Sequence, residues 1–176
     1  MGWHEDNARY SYTNALGQDV HYVAGANVYA APVGLLKRYL IVHHTAGTDS
    51  RAYLKRNPKR VSSHYLIGNY DEGRVRRVYK YASEVRECTY TQGFGTIGGY
   101  TAGNINDVCI SIEIEGPPID DPLMLAAADL ARSIIDTWRG LGVDLLMLRH
   151  KDIDTRKSDP ALPWNNFCQL TYRLRV

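Results

Sequence analysis

The chain of 176 residues is predicted to fold as a mixed α/β domain, on three observations. Short apolar runs of strand length recur at 38–44, 63–80 and 143–148, a segment with period two spans 107–116, and one strongly amphipathic helical segment lies between the last two. Strands and helices intermixed along one chain pack as a single central mixed sheet flanked by helices. A chain of this length buries a core of its own without disulfides, so one domain is expected.

Residues 1–36 are polar and rich in Tyr, Asn and Gly, with no sustained period, and read as an irregular N-terminal segment packed on the domain formed by residues 37–176. "RYLIVHH" is an apolar run suited to a buried strand. "TDSRAYLKRN" follows as a short helix capped by Thr48 or Asp49 and stopped before Pro58. "SHYLIGN" and "RVRRVYK" flank "YDEG", where Gly73 supplies the turn of a β-hairpin over 63–80. Residues 88–107 hold five glycines and form a long loop. "GFGTIG" within it matches a dinucleotide-binding pattern but lacks the strand before and the helix after that the pattern requires.

In "DVCISIEIEG", Val108, Ile110, Ile112 and Ile114 fall on one face, and Cys109, Ser111, Glu113 and Glu115 on the other. "DDPLMLAAADLARSIIDTWRGLG" is the best helix, with Asp121 as its cap, Pro122 at the first helical position, and Gly140 and Gly142 closing it. "VDLLML" reads as a buried strand, "RHKDIDTRKSDPALP" as an irregular loop, and "WNNFCQLTYRLR" as a last helix led by Pro163.

Apolar residues at 44% and charged residues at 23% exclude a disordered or fibrous chain. A net charge of +2 gives no reason to expect a nucleic-acid partner. No run approaches the ~20 apolar residues of a membrane span, and the N-terminus has no basic head followed by an apolar block, so neither membrane insertion nor a signal peptide is expected. Three cysteines without close spacing (Cys88, Cys109, Cys168) support neither a disulfide framework nor a cysteine metal knuckle, and point to synthesis in a reducing compartment. Thirteen tyrosines against two phenylalanines fit half-buried strands, or alternatively a sugar- or peptide-binding surface.

Four polar clusters fall at the ends of predicted strands or in the loops after them: His43 and His44, Glu113 and Glu115, His150, and Lys157-Ser158-Asp159. Such positions are where α/β proteins usually place their sites. Two histidines and one aspartate meet the count of a catalytic Zn²⁺ site, which keeps a fourth position for water. Lys157 and Asp159, two apart in an extended loop, can address one centre, the aspartate as ligand and the lysine as a donor to an oxyanion. Each member also has an ordinary structural alternative. A strand-end histidine can be a hydrogen-bonded core residue, the two glutamates can pair with the hairpin arginines, and "RKSD" can be a solvated loop.

Taken together, "LIVHHTAG", "VSSHYLIG", "SIEIEG" and "RHKDIDTRKSDP" resemble, in order and approximate separation, the zinc-dependent type 2 N-acetylmuramoyl-L-alanine amidases, over about residues 38–172. This family includes phage amidase-type lysozymes and the peptidoglycan recognition proteins. The resemblance implies a Zn²⁺ in a surface cleft, held by His43, His150 and Asp159, with Glu113 as catalytic base and Lys157 beside the metal. It implies hydrolysis of the amide between N-acetylmuramic acid and L-alanine, with peptidoglycan or a muropeptide as substrate and a monomeric enzyme. It places Thr45, Ser63 and His64 at the substrate. Ser63 stands where some phage members carry a catalytic-site tyrosine, which favours the glutamate-assisted variant. A protein made in the cytoplasm and acting on the cell wall, as a phage endolysin or a cellular wall hydrolase, is expected. The alternative within the same superfamily is a recognition module that binds peptidoglycan without cutting it; such modules typically lack the third ligand. From a different class, "HHTAGTD" approaches an acyltransferase signature, but Asp49 falls one residue late and no glycine follows it.

Strand alternation separates the adjacent histidines. His43 shares a face with Tyr39 and Ile41, and His44 shares the opposite face with Leu40 and Val42.

Overall fold

The computed structural model describes residues 8–14, 16–23, 27–45, 47, 50, 51, 54, 61–70, 75–89, 104–116 and 119–173. Nine strands are assigned among these residues: β1 (Ala8–Thr13), β2 (Asp19–Val23), β3 (Val28–Ala30), β4 (Tyr39–His44), β5 (Tyr65–Tyr70), β6 (Val75–Lys80), β7 (Glu87–Thr89), β8 (Cys109–Ile114) and β9 (Leu146–Arg149). Three helices follow: α1 (Asp121–Gly140), α2 (His150–Ile153) and α3 (Trp164–Thr171). A single-turn 3₁₀ segment, Ile105–Val108, leads into β8.

The main sheet has seven strands in the order β1-β2-β6-β5-β8-β4-β9. Strands β5, β8, β4 and β9 run parallel, while β6 is antiparallel to β5 and β1 antiparallel to β2. Strand β8 lies at the middle of the parallel part, and all six of its residues are buried. A parallel strand covered on both faces is buried throughout, which is why its polar alternate positions face protein rather than water.

On one face, Leu40, Val42, Ile110, Ile112 and Ile114 pack against Leu123, Ala127, Leu130, Ile134 and Trp138 of α1 and Phe167 of α3. Burial of each such Leu or Ile contributes roughly 1.5–3 kcal/mol relative to exposure. On the other face, Ile41 and Cys109 pack with Ile105, Val108 and Ile153. There the antiparallel ribbon β3–β7 forms a second small layer. Helices thus cover one side, and the other is left to short elements between which a site can open.

Three expectations are corrected by the structure. Residues 1–36 are not irregular where described. Their strands β1 and β2 extend the main sheet, β2 pairing in parallel with β6 through Val20↔Val78, His21↔Tyr79 and Tyr22↔Lys80. Val20 and Val23 are buried, so two apolar positions anchor a strand whose remaining residues are polar or aromatic. The cap of α1 is Asp120 rather than Asp121; its Oδ1 accepts from the Leu123 N–H at 2.8 Å, and Pro122 falls one residue further in. "HKDI" is one helical turn rather than irregular loop, because Asp152 accepts from the Arg149 backbone N–H at 2.9 Å and binds the Arg149 guanidinium as well. Pro163 leads α3 as its N-cap residue, as expected. Most of the helix expected at 48–57, the turn at Gly73 and the Gly-rich stretch with "GFGTIG" lie outside the described residues.

Candidate active site

Three side chains from separate parts of the chain meet at the carboxyl ends of the parallel strands, where an open α/β sheet leaves room for a site. His43 is the fifth residue of β4 and is 1% exposed. His150 opens α2 directly after β9, and is also buried. Asp159 arrives from the following loop, half-buried, its carbonyl accepting from the Lys151 N–H at 3.1 Å. Its Oδ2 lies 3.0 Å from His150 Nδ1 and 3.4 Å from His43 Nδ1. The two imidazoles meet edge to face, with centroids 4.4 Å apart.

The loop that returns Asp159 is held by a residue that sequence reasoning missed. Asp154 accepts from the Arg156 backbone N–H at 3.1 Å, from its Nε at 2.9 Å and from its Nη2 at 2.8 Å. These bonds from Arg156 keep the Asp154 carboxyl well below the usual carboxylate range. An aspartate two residues before a donor is the signature of an Asx turn, so the "DTR" triplet carried the signal.

Burial pushes the Asp159 carboxyl up, but the hydrogen bonds from His150 and His43 outweigh it and hold the group ionised far below its ordinary range. Burial lowers His43 to about 4, with the charges of His150 and Lys157 acting in the same direction and Asp159 opposing. A neutral imidazole beside an ionised carboxylate is the protonation state that a metal ligand set requires.

The residues fit a divalent ion by two tests. The three offer ligand atoms within 4.8 Å of one another. Ligands ~2.0–2.1 Å from a tetrahedral Zn²⁺ lie roughly 3.3 Å apart, and the separations of 3.0 and 3.4 Å bracket that value. Nε2 of His43 and Nε2 of His150 are buried with no hydrogen-bond partner among the described residues. Each ring is therefore oriented by what its Nδ1 side faces.

Glu113 stands beside His43 in the parallel pairing of β8 with β4. Its Oε2 is buried and has no hydrogen-bond partner among the described residues. Burial raises its carboxyl to about 8, the negative charge of Asp159 adds to that, and the Lys157 cation opposes it. Lys157 is exposed, on the loop before Asp159, and its charge acts on both Glu113 and His43. A carboxylate whose proton affinity is pushed toward neutrality, next to a cation and a ligand set, can take and return a proton at pH 7.

Of three other expected site residues, two are buried and the third, Thr45, lies on the turn directly after β4. Ser63 and His64 are fully buried and make no surface that a substrate could touch. Ser63 Oγ donates to the Tyr65 carbonyl at 2.9 Å, and His64 sits in a network with Ser111 and Thr89. Thr45 is half-buried; its hydroxyl donates to the Gly47 carbonyl at 3.0 Å and accepts from Ser50 Oγ at 2.6 Å. The same turn is held by Glu115, whose Oε1 accepts from the Ser50 N–H at 3.0 Å. Glu115 thereby braces the loop after β4. His44 points to the helical face, and its Nδ1 accepts from the Ala161 N–H at 2.7 Å.

A sequence profile described as N-acetylmuramoyl-L-alanine amidase matches residues 32–162, and the chain belongs to that family. It is an enzyme of the peptidoglycan amidase class. Among solved structures it is similar to AmpD, with 22% identity, a TM-score of 0.66, and coverage of 85% of this chain and 92% of that one. It is similar to the N-acetylmuramyl-L-alanine amidase AmiD from E. coli, solved with anhydro-N-acetylmuramic acid-L-Ala-D-γ-Glu-L-Lys, at 27% identity and a TM-score of 0.60 over 76% of this chain and 57% of that one. The endolysin of the Thermus scotoductus bacteriophage Ph2119 shares the fold at 19% identity, with a TM-score of 0.54 over 78% of this chain and 86% of that one. No curated protein matches by sequence.

Proposed function

We propose that this chain is a zinc amidase that cleaves the bond between the lactyl group of N-acetylmuramic acid and L-alanine, with Zn²⁺ held by His43, His150 and Asp159. The observation that carries the reading is the convergence of His43 Nδ1 and His150 Nδ1 on one Asp159 oxygen, at 3.4 and 3.0 Å. A bound Zn²⁺ supplies Lewis acidity, polarising the scissile carbonyl and lowering the pKa of water toward ~7.

Glu113 takes a proton from the attacking water through its unpartnered Oε2, and returns that proton to the nitrogen of the departing L-alanine. Its raised proton affinity suits both halves of the cycle. Lys157, free to extend from an exposed loop, donates to the oxyanion that forms on the attacked carbonyl. Residues 37–176 carry every group in this scheme, and β1 and β2 widen the sheet that supports them.

Peptidoglycan or a soluble muropeptide is the substrate, by analogy with the ligand in the AmiD structure. The chain works as a monomer without a nucleic-acid or membrane partner. No described helix is long and apolar enough to cross a membrane. Its place of action is the cell wall, after synthesis in the cytoplasm, as an endolysin or a cellular wall hydrolase.

Mass spectrometry of whole peptidoglycan digested with and without a zinc chelator tests the reading. Stem peptides with a free L-alanine amine, released only without chelator, are expected. Intact muropeptides in both digests, or equal cleavage in both, overturn it.

A further inference from the structure

A fully buried polar cluster lies beneath the site and takes no part in the scheme above: His64, Ser111 and Thr89, each 0% exposed. Its geometry fixes the state of the histidine. The Ser111 backbone N–H donates to His64 Nδ1 at 3.2 Å, so Nδ1 carries no proton. Nε2 lies 3.3 Å from the Glu87 carbonyl, which can only accept, so Nε2 carries the hydrogen. One ring therefore joins β8 on one side to β7 on the other. Thr89 Oγ1 and Ser111 Oγ, 3.1 Å apart, close the cluster around Nδ1 at 3.2 and 3.1 Å.

The cluster sits where the sheet needs it. Pairing of β5 with β8 is recorded from Tyr65↔Ile112 onward, through Leu66↔Glu113. At the preceding residue the His64 N–H donates to the Ser111 hydroxyl at 3.1 Å, so a side chain continues the attachment at the strand's entry. Ser111 and Glu113 alternate on the same face of β8. Because Glu113 Oε2 has no partner of its own among the described residues, the backbone of β8 has a large share in aiming that carboxyl group.

We infer that His64 is a positioning residue for the amidase reaction: its Nδ1, by accepting from the Ser111 N–H, sets the register and tilt of β8 and so the aim of Glu113. The inference rests on Glu113 being the base. It assigns the effect to one nitrogen, and the conservative variants separate the two. In His64→Asn an amide oxygen takes the place of Nδ1 as acceptor, while the link to Glu87 is lost. In His64→Gln an amide N–H takes the place of Nε2, while the link to Ser111 is lost.

The test measures kcat and KM for release of new amino groups from purified peptidoglycan by the zinc-loaded variants. Amide hydrogen exchange at 111–113 is followed in the same samples. His64→Gln is expected to lower kcat about tenfold, the size of one lost hydrogen bond, with KM and zinc content unchanged and with exchange at 111–113 about tenfold faster. His64→Asn is expected to hold both close to wild type. Ile134→Val, in the α1 core on the far side of the sheet, supplies a destabilised control whose kcat stays at the wild-type level. Equal losses in His64→Asn and His64→Gln, or losses confined to KM, overturn the inference. If the wild type releases no amino groups, the proposed function fails. The exchange pattern then still decides whether His64 Nδ1 holds β8, and equal exchange in both variants overturns it.

Discussion

His43 and Glu113 are direct neighbours in the parallel pairing of β4 with β8, both on the face opposite the helices. That single register places a neutral, buried imidazole beside a buried carboxyl group whose proton affinity is raised to about 8. A shift of one residue in either strand would turn one of the two into the helical core.

His43→Ala is therefore expected to lose bound zinc and activity together. His44→Ala should keep the metal and lose about 1 kcal/mol of stability, because the bond His44 makes among the described residues is to the Ala161 N–H on the other face. Metal analysis and thermal unfolding of the two variants separate these outcomes.

Glu113→Gln keeps the shape of the side chain and removes the base. We expect full zinc content and a kcat lower by ~10² to 10⁴, read from single-turnover release of L-alanine peptides. Wild-type kcat in this variant would assign the proton transfer to another group.

Lys157→Ala should slow the reaction by ~10² to 10³ while leaving the fold and the metal intact. A second effect has a definite sign. The Lys157 cation holds Glu113 below the value that burial and Asp159 alone would give. Its removal should move the acid limb of the kcat/KM profile to higher pH. A rate loss with no movement of that limb would separate Lys157 from Glu113.

Acid sensitivity of the fold follows from His64. Burial, reinforced by the charge of Lys37, lowers its ring to about 3 from an ordinary 6.5. The unfolded chain takes up a proton near pH 6.5 that the folded chain refuses until about pH 3, so stability is complete above that window and falls as pH drops through it. The loss is about 1.4 kcal/mol per pH unit. Urea titrations between pH 7 and pH 4.5 should show a steeper decline for the wild type than for His64→Asn, by about one proton.

Strands β4 and β8 were legible because burial on both faces demands apolar runs, and alternation alone assigns His43 and Glu113 to one side. The helix α1 was legible from its apolar stripe, although two adjacent aspartates left its cap ambiguous until Asp120 was seen to reach the Leu123 N–H. Strands β1 and β2 were not legible, since "ARYSYT" at the sheet edge and "DVHYV" beside it carry few apolar residues. The turn between them did carry a sign. The Asn14 carboxamide accepts from the Leu16 and Gln18 N–H groups at 3.0 Å, and Gly17 takes a φ of 81°. Nothing local told a substrate-facing histidine from a buried one at position 64. That distinction depends on Thr89 and Ser111, which the chain brings in from 25 and 47 residues away.

Zinc content of the wild type and of Asp159→Ala, measured on purified chains together with circular dichroism, tests the central claim most directly. One zinc per wild-type chain is expected, with less than about a tenth of that in the variant and an unchanged spectrum. Equal zinc in both proteins, or none in the wild type after zinc is supplied, would contradict the assignment of His43, His150 and Asp159 as one metal site.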